Sequence, residues 1–232
     1  AWTADDPAKV REAAEACAAR GLKMFSIYCG ATLSTNGLQP DARLDGIIDA
    51  LKGRGTIVWL HLTSREFKTS SADGDAAAVP GLRAIADRAA AGGLRVAIYP
   101  HRGDWTERIQ DAVRVAKKVD RPNFGVTFNL CHCLMAGDEA RIPELLAEAA
   151  PHLFIVSING ADRDAGGTTW ARLIRPLDEG TYDPVPLLRT LKKLGYAGPI
   201  GLQGYGVKTP ARENLTRSMA AWKKFSAAAA AP

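Results

Sequence analysis

Histidine and cysteine are scarce in this chain, at four residues each out of 232. Cys17, Cys29, Cys131 and Cys133 are too few and too irregularly spaced to form a disulfide framework in a chain of this length, which implies a reduced interior. No apolar run approaches the roughly 18 residues of a membrane span. Ala1 to Pro7 show no basic stretch followed by an apolar core, so no signal peptide is read. The expectation is a cytoplasmic protein that engages no membrane. Gly-x-Gly-x-x-Gly does not follow the first apolar run, which removes the usual fingerprint of a dinucleotide fold. Neither sign of charge dominates: 30 Lys and Arg stand against 25 Asp and Glu, for a net charge of +5. The basic residues are interleaved with acids, as on solvated helix faces, and no nucleic-acid partner is expected.

Hydrophobic residues make up 47% of the chain and charged residues 24%, ordinary values for a soluble globular fold. The length suits one domain over residues 1–232, with residues 228–232 a frayed alanine-rich tail. Short apolar and β-branched runs predict six strands: Lys23 to Tyr28, Thr56 to His61, Leu94 to Tyr99, Phe124 to Phe128, Leu153 to Ile158 and Pro199 to Gln203. Helical periodicity fills Asp6 to Arg20, Ala76 to Ala91 and Trp105 to Val119. Gly21, Gly93 and Gly195 stand where helices give way to strands. Strand and helix in alternation imply a parallel sheet covered by helices, and the pattern alone leaves an open doubly wound sheet and a closed barrel both available.

Four strand-end segments carry a resemblance: Val96 to His101 (VAIYPH), Gly125 to His132 (GVTFNLCH), Ile155 to Asp162 (IVSINGAD) and Gly198 to Tyr205 (GPIGLQGY). With Leu194 to Ile200 (LGYAGPI), they resemble the sugar phosphate isomerase/epimerase family of the xylose isomerase-like TIM barrels, over about Ala4 to Phe225. The resemblance implies an α/β fold, a TIM-type (β/α) barrel. The six visible βα units would then be its third to eighth, the first two strands of the eight being absent. A second copy of the chain or a missing N-terminal segment would complete the barrel. The family commonly holds a divalent metal (Mn, Mg or Zn) with Glu, Asp, His and Glu at successive strand ends. The matching positions are Tyr99, Asn129, Ser157 (or Asn159) and Gln203. Amide and hydroxyl oxygens replace carboxylates poorly around a hard cation, so no metal ligand is assigned and no cofactor is expected.

Three histidines, His61, His101 and His132, fall at or just beyond predicted strand ends, where barrel active sites are built. Imidazoles titrate near neutrality and can move protons, although hydrogen bonding to loop backbone would explain the same placement. His101 and His132, with Tyr99 as a donor, are the catalytic candidates. Asn129, Asn159 and Gln203 put amides where aliphatic core residues are the norm, and a polyhydroxylated ligand would satisfy them. His61, Arg65, Arg102, Asp162, Tyr205 and Trp105 complete the set expected to bind substrate, as hydrogen-bonding groups beside aromatic faces. Asp104 and Trp170 lie in the same loops. Trp59 reads as core, Cys131 and Cys133 as buried small residues rather than a zinc pair, and His152 as structural, at the opposite end of a strand.

The resemblance implies a sugar isomerase or epimerase whose small-molecule partner is a sugar or keto-sugar. A carbohydrate-binding barrel without catalysis stays open beside it. Endonuclease IV-like DNA repair needs far more His and carboxylate ligands than this chain has.

Overall fold

A computed structural model of the chain describes residues 2–3, 6–167 and 169–231. It divides into two compact units, Ala1–Thr127 and Phe128–Pro232. The first contains β1 (Trp2–Thr3), α1 (Pro7–Ala18), β2 (Ser26–Ser34), β3 (Gly37–Pro40), α2 (Leu44–Ala50), β4 (Ile57–Ser64), α3 (Asp75–Ala91), β5 (Arg95–Ile98) and α4 (Ile109–Val119). Its last strand, β6 (Phe124–Asn129), runs across the boundary. Strands β1, β2, β4, β5 and β6 pair in that order, each parallel to the next. Parallel neighbours require crossovers, and the intervening helices supply them.

Register decides which side chains share a face. Tyr28 stands opposite Trp59 and Gly30 opposite His61, while Trp59 stands opposite Ala97. Side chains alternate along a strand, so Ile27, Cys29, Leu33, Val58, Leu60, Leu62, Val96 and Ile98 form one buried aliphatic face. Each such Ile or Leu contributes roughly 1.5–3 kcal/mol by leaving water. Helix α3 packs on β5 and β2 and buries Ala78, Leu82, Ile85, Ala86 and Ala89, one stripe at helical spacing. The other face of the same strands carries Tyr28, Gly30, Trp59, His61 and Tyr99.

The second unit contains α5 (Leu130–Met135), α6 (Ile142–Ala149), β7 (Leu153–Ile158), α7 (Trp170–Leu173), α8 (Val185–Lys193), β8 (Ile200–Leu202) and α9 (Ala211–Ala230). Strands β7 and β8 pair in parallel, Val156 opposite Ile200. Helix α8 packs on α6 and α9 through buried Leu187, Leu188 and Leu191.

The six predicted strands all form, with several differences around them. A two-residue strand, β1, precedes α1; two residues carry no periodicity to read. The strand expected at Lys23 to Tyr28 lies at Ser26–Ser34 and turns through Thr35 and Asn36 into antiparallel β3, Ser34 pairing with Gly37. Helix α4 starts at Ile109 rather than Trp105 because the preceding backbone is engaged elsewhere: the Trp105 N–H donates to Leu62 O at 2.9 Å and the His101 N–H to Thr106 O at 3.2 Å. Most of the alanine tail, read as fraying, extends α9 to Ala230, while Pro232 lies outside the described residues. No helix among the described residues is long and apolar enough to cross a membrane.

Candidate functional site

In the first unit, the polar face of β2, β4 and β5 converges on one carboxylate. Asp104, in the loop after β5, places Oδ2 3.0 Å from His61 Nδ1 and Oδ1 3.7 Å from His101 Nδ1. Its side chain is 11% exposed, so both contacts are shielded from bulk water. A carboxylate oxygen accepts, so His61 Nδ1 carries a hydrogen, and in the neutral ring Nε2 then holds the lone pair. The same tautomer follows for His101, whose Nδ1 lies 3.0 Å from the Arg102 carbonyl oxygen. The two imidazole rings are 6.3 Å apart.

An aromatic wall borders this pair. Tyr28 stacks flat on His61, with 4.7 Å between centroids and 4° between planes. Tyr99 meets Tyr28 edge-on at 5.0 Å, and Trp59 packs against Tyr99 at 5.0 Å. Burial, then the charge of Asp104, pushes the Tyr28 phenol well above its ordinary value, so it stays protonated. Gly30 leaves the space that the His61 ring occupies: a Cβ there would come within 2.6 Å of His61 Nε2.

The structure therefore brings together four of the residues singled out in the sequence, His61, Tyr99, His101 and Asp104, and adds Tyr28. Glycine within an otherwise apolar strand, as at Gly30, is the sequence signal for such a close approach. Arg102 lies beside them but forms an ion pair with buried Glu107 at 2.6 Å. Arg65 is exposed in the loop after β4. Trp105, expected to offer a face to substrate, is core instead: it is 1% exposed, and its indole N–H donates to Ser71 O at 2.9 Å. Its ring fills the space beside Gly74.

The second unit has polar groups of its own. Asn129, at the end of β6, accepts through Oδ1 from the Ser157 hydroxyl at 2.7 Å and the Cys131 thiol at 3.5 Å. Its buried Nδ2 has no partner among the described residues, nor has Oδ1 of buried Asn159, just beyond β7. Asn159 also donates to the Gly160 and Leu173 carbonyls, tying the segment after β7 to α7. His132 lies in α5, just beyond the end of β6; it is buried, and its ring meets Trp170 edge-on at 5.0 Å. Asp162 grips Arg172 at 3.1 Å and Arg175 at 2.9 Å, and these partners lower its carboxyl below the usual range. Gln203 accepts the Tyr205 backbone N–H at 3.0 Å, while the Tyr205 ring stands out in solvent. Burial pushes the Cys131 thiol up to about 12, and His152 lies at the amino end of β7, as expected of structural residues.

The family described as xylose isomerase-like TIM barrel matches residues 1–225. The chain belongs to that family. Solved structures match nearly the whole of this chain. The IolI protein with a bound zinc atom is 18% identical, with a TM-score of 0.70, covering 94% of this chain and 81% of that one. A xylose isomerase-like TIM barrel protein from Mycobacterium smegmatis in complex with magnesium is 18% identical, with a TM-score of 0.67, covering 98% and 81%. Apo 3-keto-D-glucoside 4-epimerase from E. coli is 19% identical, with a TM-score of 0.68, covering 94% and 87%. At these identities the likeness is one of fold. No curated protein sequence matches the chain.

A family-type divalent ion does not fit the residues of this xylose isomerase-like barrel. Tyr99, Asn129, Ser157 and Gln203 bring no formal negative charge to offset the desolvation of a dication. Asn129 Oδ1 and Gln203 Oε1 already accept hydrogen bonds within the protein. Among the described residues no three His, Cys, Asp or Glu side chains converge as a metal site.

Proposed function

We propose that this barrel is a sugar isomerase or epimerase that moves a proton at the carbon next to a carbonyl of a sugar or keto-sugar. One observation carries the reading: two imidazoles 6.3 Å apart share a shielded carboxylate beside an aromatic wall. Proton transfer alone interconverts such sugars, so the chemistry needs a base, an acid and a polar grip on the carbonyl oxygen. His101, the more exposed ring at 37%, is the base that takes the carbon-bound proton through Nε2. The C–H electron pair moves into the adjacent carbonyl and gives an enediolate. His61, entering the step as the imidazolium with its second hydrogen on Nε2, gives that proton to the neighbouring carbon or to the opposite face and leaves neutral as His101 leaves protonated, so protons and charge balance and nothing is oxidised or reduced in sum. Asp104 faces Nδ1 of both rings, which leaves Nε2 as the atom that transfers the proton, and Tyr99 is the phenol assigned to the carbonyl oxygen.

The test is isotope exchange. The purified chain, incubated in deuterated water with a panel of aldoses, ketoses and keto-sugars, is expected to exchange one carbon-bound proton stereospecifically in at least one of them. His101→Ala and Asp104→Asn should each slow that exchange about 100-fold, and His152→Ala should leave it unchanged. A sugar that binds but never exchanges or converts would replace this reading with that of a carbohydrate-binding barrel.

A further inference from the structure

We infer that Tyr28 is a positioning residue for the His61 imidazole, acting through its ring face rather than its hydroxyl. Its kinetic consequence rests on the proton-transfer reading above; its structural consequence does not. The 3.0 Å hydrogen bond to Asp104 fixes one atom of the His61 ring, Nδ1, and leaves the ring able to pivot about that contact. A flat surface against the imidazole removes the pivot. Tyr28 supplies it, at 4.7 Å between centroids and 4° between planes, a closer parallel fit than any other ring contact of His61. Tyr28 is itself braced, with Tyr99 edge-on at 5.0 Å and 85°. On the far side Gly30 admits the Nε2 edge, where any side chain would collide with it.

The strands set this arrangement. Gly30 is directly opposite His61, and Tyr28 is two residues earlier on the same face of β2. One strand therefore offers a slot for the ring edge and a plate for the ring face, and the loop after β5 supplies the anchor at Asp104. Edge, face and anchor together hold Nε2 in one direction with one tautomer, which a base or acid of fixed aim requires. The phenol stays neutral, so the face that His61 meets does not change its charge over the working range.

The experiment reads the ring directly. In the ¹⁵N-labelled full chain, long-range ¹H–¹⁵N spectra at alkaline pH report the His61 tautomer, with the His61 signals identified as those lost in His61→Asn. The native chain and Tyr28→Phe should both show the single Nδ1–H form. Tyr28→Leu and Tyr28→Val should show a mixture of tautomers, as should Asp104→Asn. In the exchange reaction, kcat should fall about tenfold in Tyr28→Leu with KM little changed, and should be kept within about twofold in Tyr28→Phe. Circular dichroism checks folding, and Tyr28→Val stands in if the leucine variant fails to fold. An unchanged His61 signature in folded Tyr28→Leu or Tyr28→Val overturns the inference, as does a loss in Tyr28→Phe equal to that in Tyr28→Leu. A scrambled signature in Tyr28→Leu beside a native chain that turns over no sugar sustains the positioning role and removes the proton-transfer reading.

Discussion

Replacing Gly30 by alanine adds one carbon where the His61 ring already is. The new Cβ would lie 2.6 Å from Nε2 and 3.3 Å from both Cδ2 and Cε1. Ordinary contact starts near 3.5 Å, so the ring edge must withdraw by about 0.9 Å. Gly30 is a strand residue of β2, so the backbone accepts alanine and the ring is what yields. Withdrawal weakens a hydrogen bond to a charged group, worth about 1.5–3 kcal/mol when intact. It also opens a ring stack worth about 0.5–1.5 kcal/mol. His61 is part-exposed, so water recovers about half of this sum, and the glycine-to-alanine change returns about 0.4–1 kcal/mol through the unfolded chain. The net is about 1 kcal/mol, or a fall in Tm of about 3 °C for a chain of this size. The exchange rate should fall far more, about 100-fold, because the aim of Nε2 is lost. Thermal unfolding and deuterium exchange measure the two effects. A double-mutant cycle isolates the cause: in a His61→Ala background, Gly30→Ala should be neutral or slightly stabilising, giving a coupling of at least about 1 kcal/mol. An equal loss in both backgrounds would show that Gly30 matters for something other than the His61 ring, and the slot argument would be wrong.

Two further predictions concern charges away from that cluster. Asp75, at the start of α3 and 2% exposed, accepts from Arg114 at 3.1 Å and Lys118 at 2.7 Å on α4. Asp75→Ala should cost about 2–3 kcal/mol in urea unfolding, since it leaves Arg114 partly buried with only Asp111 to pair with. Lys118→Ala, at a half-exposed position, should cost under about 1 kcal/mol, and equal losses would refute the burial argument. Asp162 has its carboxyl held below the ordinary value, first by the Arg172 hydrogen bond. A folded value below the unfolded one gives stability that is present above about pH 4 and is lost as pH falls through the lowered value. The Tm gap between the native chain and Asp162→Asn should therefore be open at pH 6 and narrow as pH falls below about 4. A gap that does not change with pH would contradict the assignment.

The strands and three of the helices, α1, α3 and α4, were legible because they are local patterns. Leu153 to Ile158 is a strand from its first residue to its last, and Asp75–Ala91 differs from the expected Ala76 to Ala91 by one residue. Elements set by distant partners were not legible in the same way. The β2–β3 hairpin has a cue in Asn36-Gly37, with Gly37 at φ +116°, but no alternation flags a four-residue return strand. His132 does follow directly on the end of β6, but no local pattern shows that the chain turns helical at Leu130. Trp105 read as a surface aromatic among polar loop residues, and only the fold shows Ser71 and Gly74 closing over it.

The candidate site was half legible for the same reason. His61 and His101 could be placed at one end of the sheet from strand positions alone. That Tyr28 belongs with them follows from the pairing of Gly30 with His61, a fact of register between strands 31 residues apart. Asp104 follows from the loop after β5 folding back on β4, where the Trp105 N–H reaches Leu62 O. This matters for the kind of ligand the cluster suits. The metal positions of the family bring no carboxylate here, and the one shielded carboxylate among these rings has both oxygens directed at imidazoles, at 3.0 and 3.7 Å. With both rings neutral the cluster carries a single negative charge, and with one protonated it carries none. A neutral polyol or keto-sugar pays no electrostatic penalty beside such a group, whereas a dication would have to compete with two histidines for the same carboxylate.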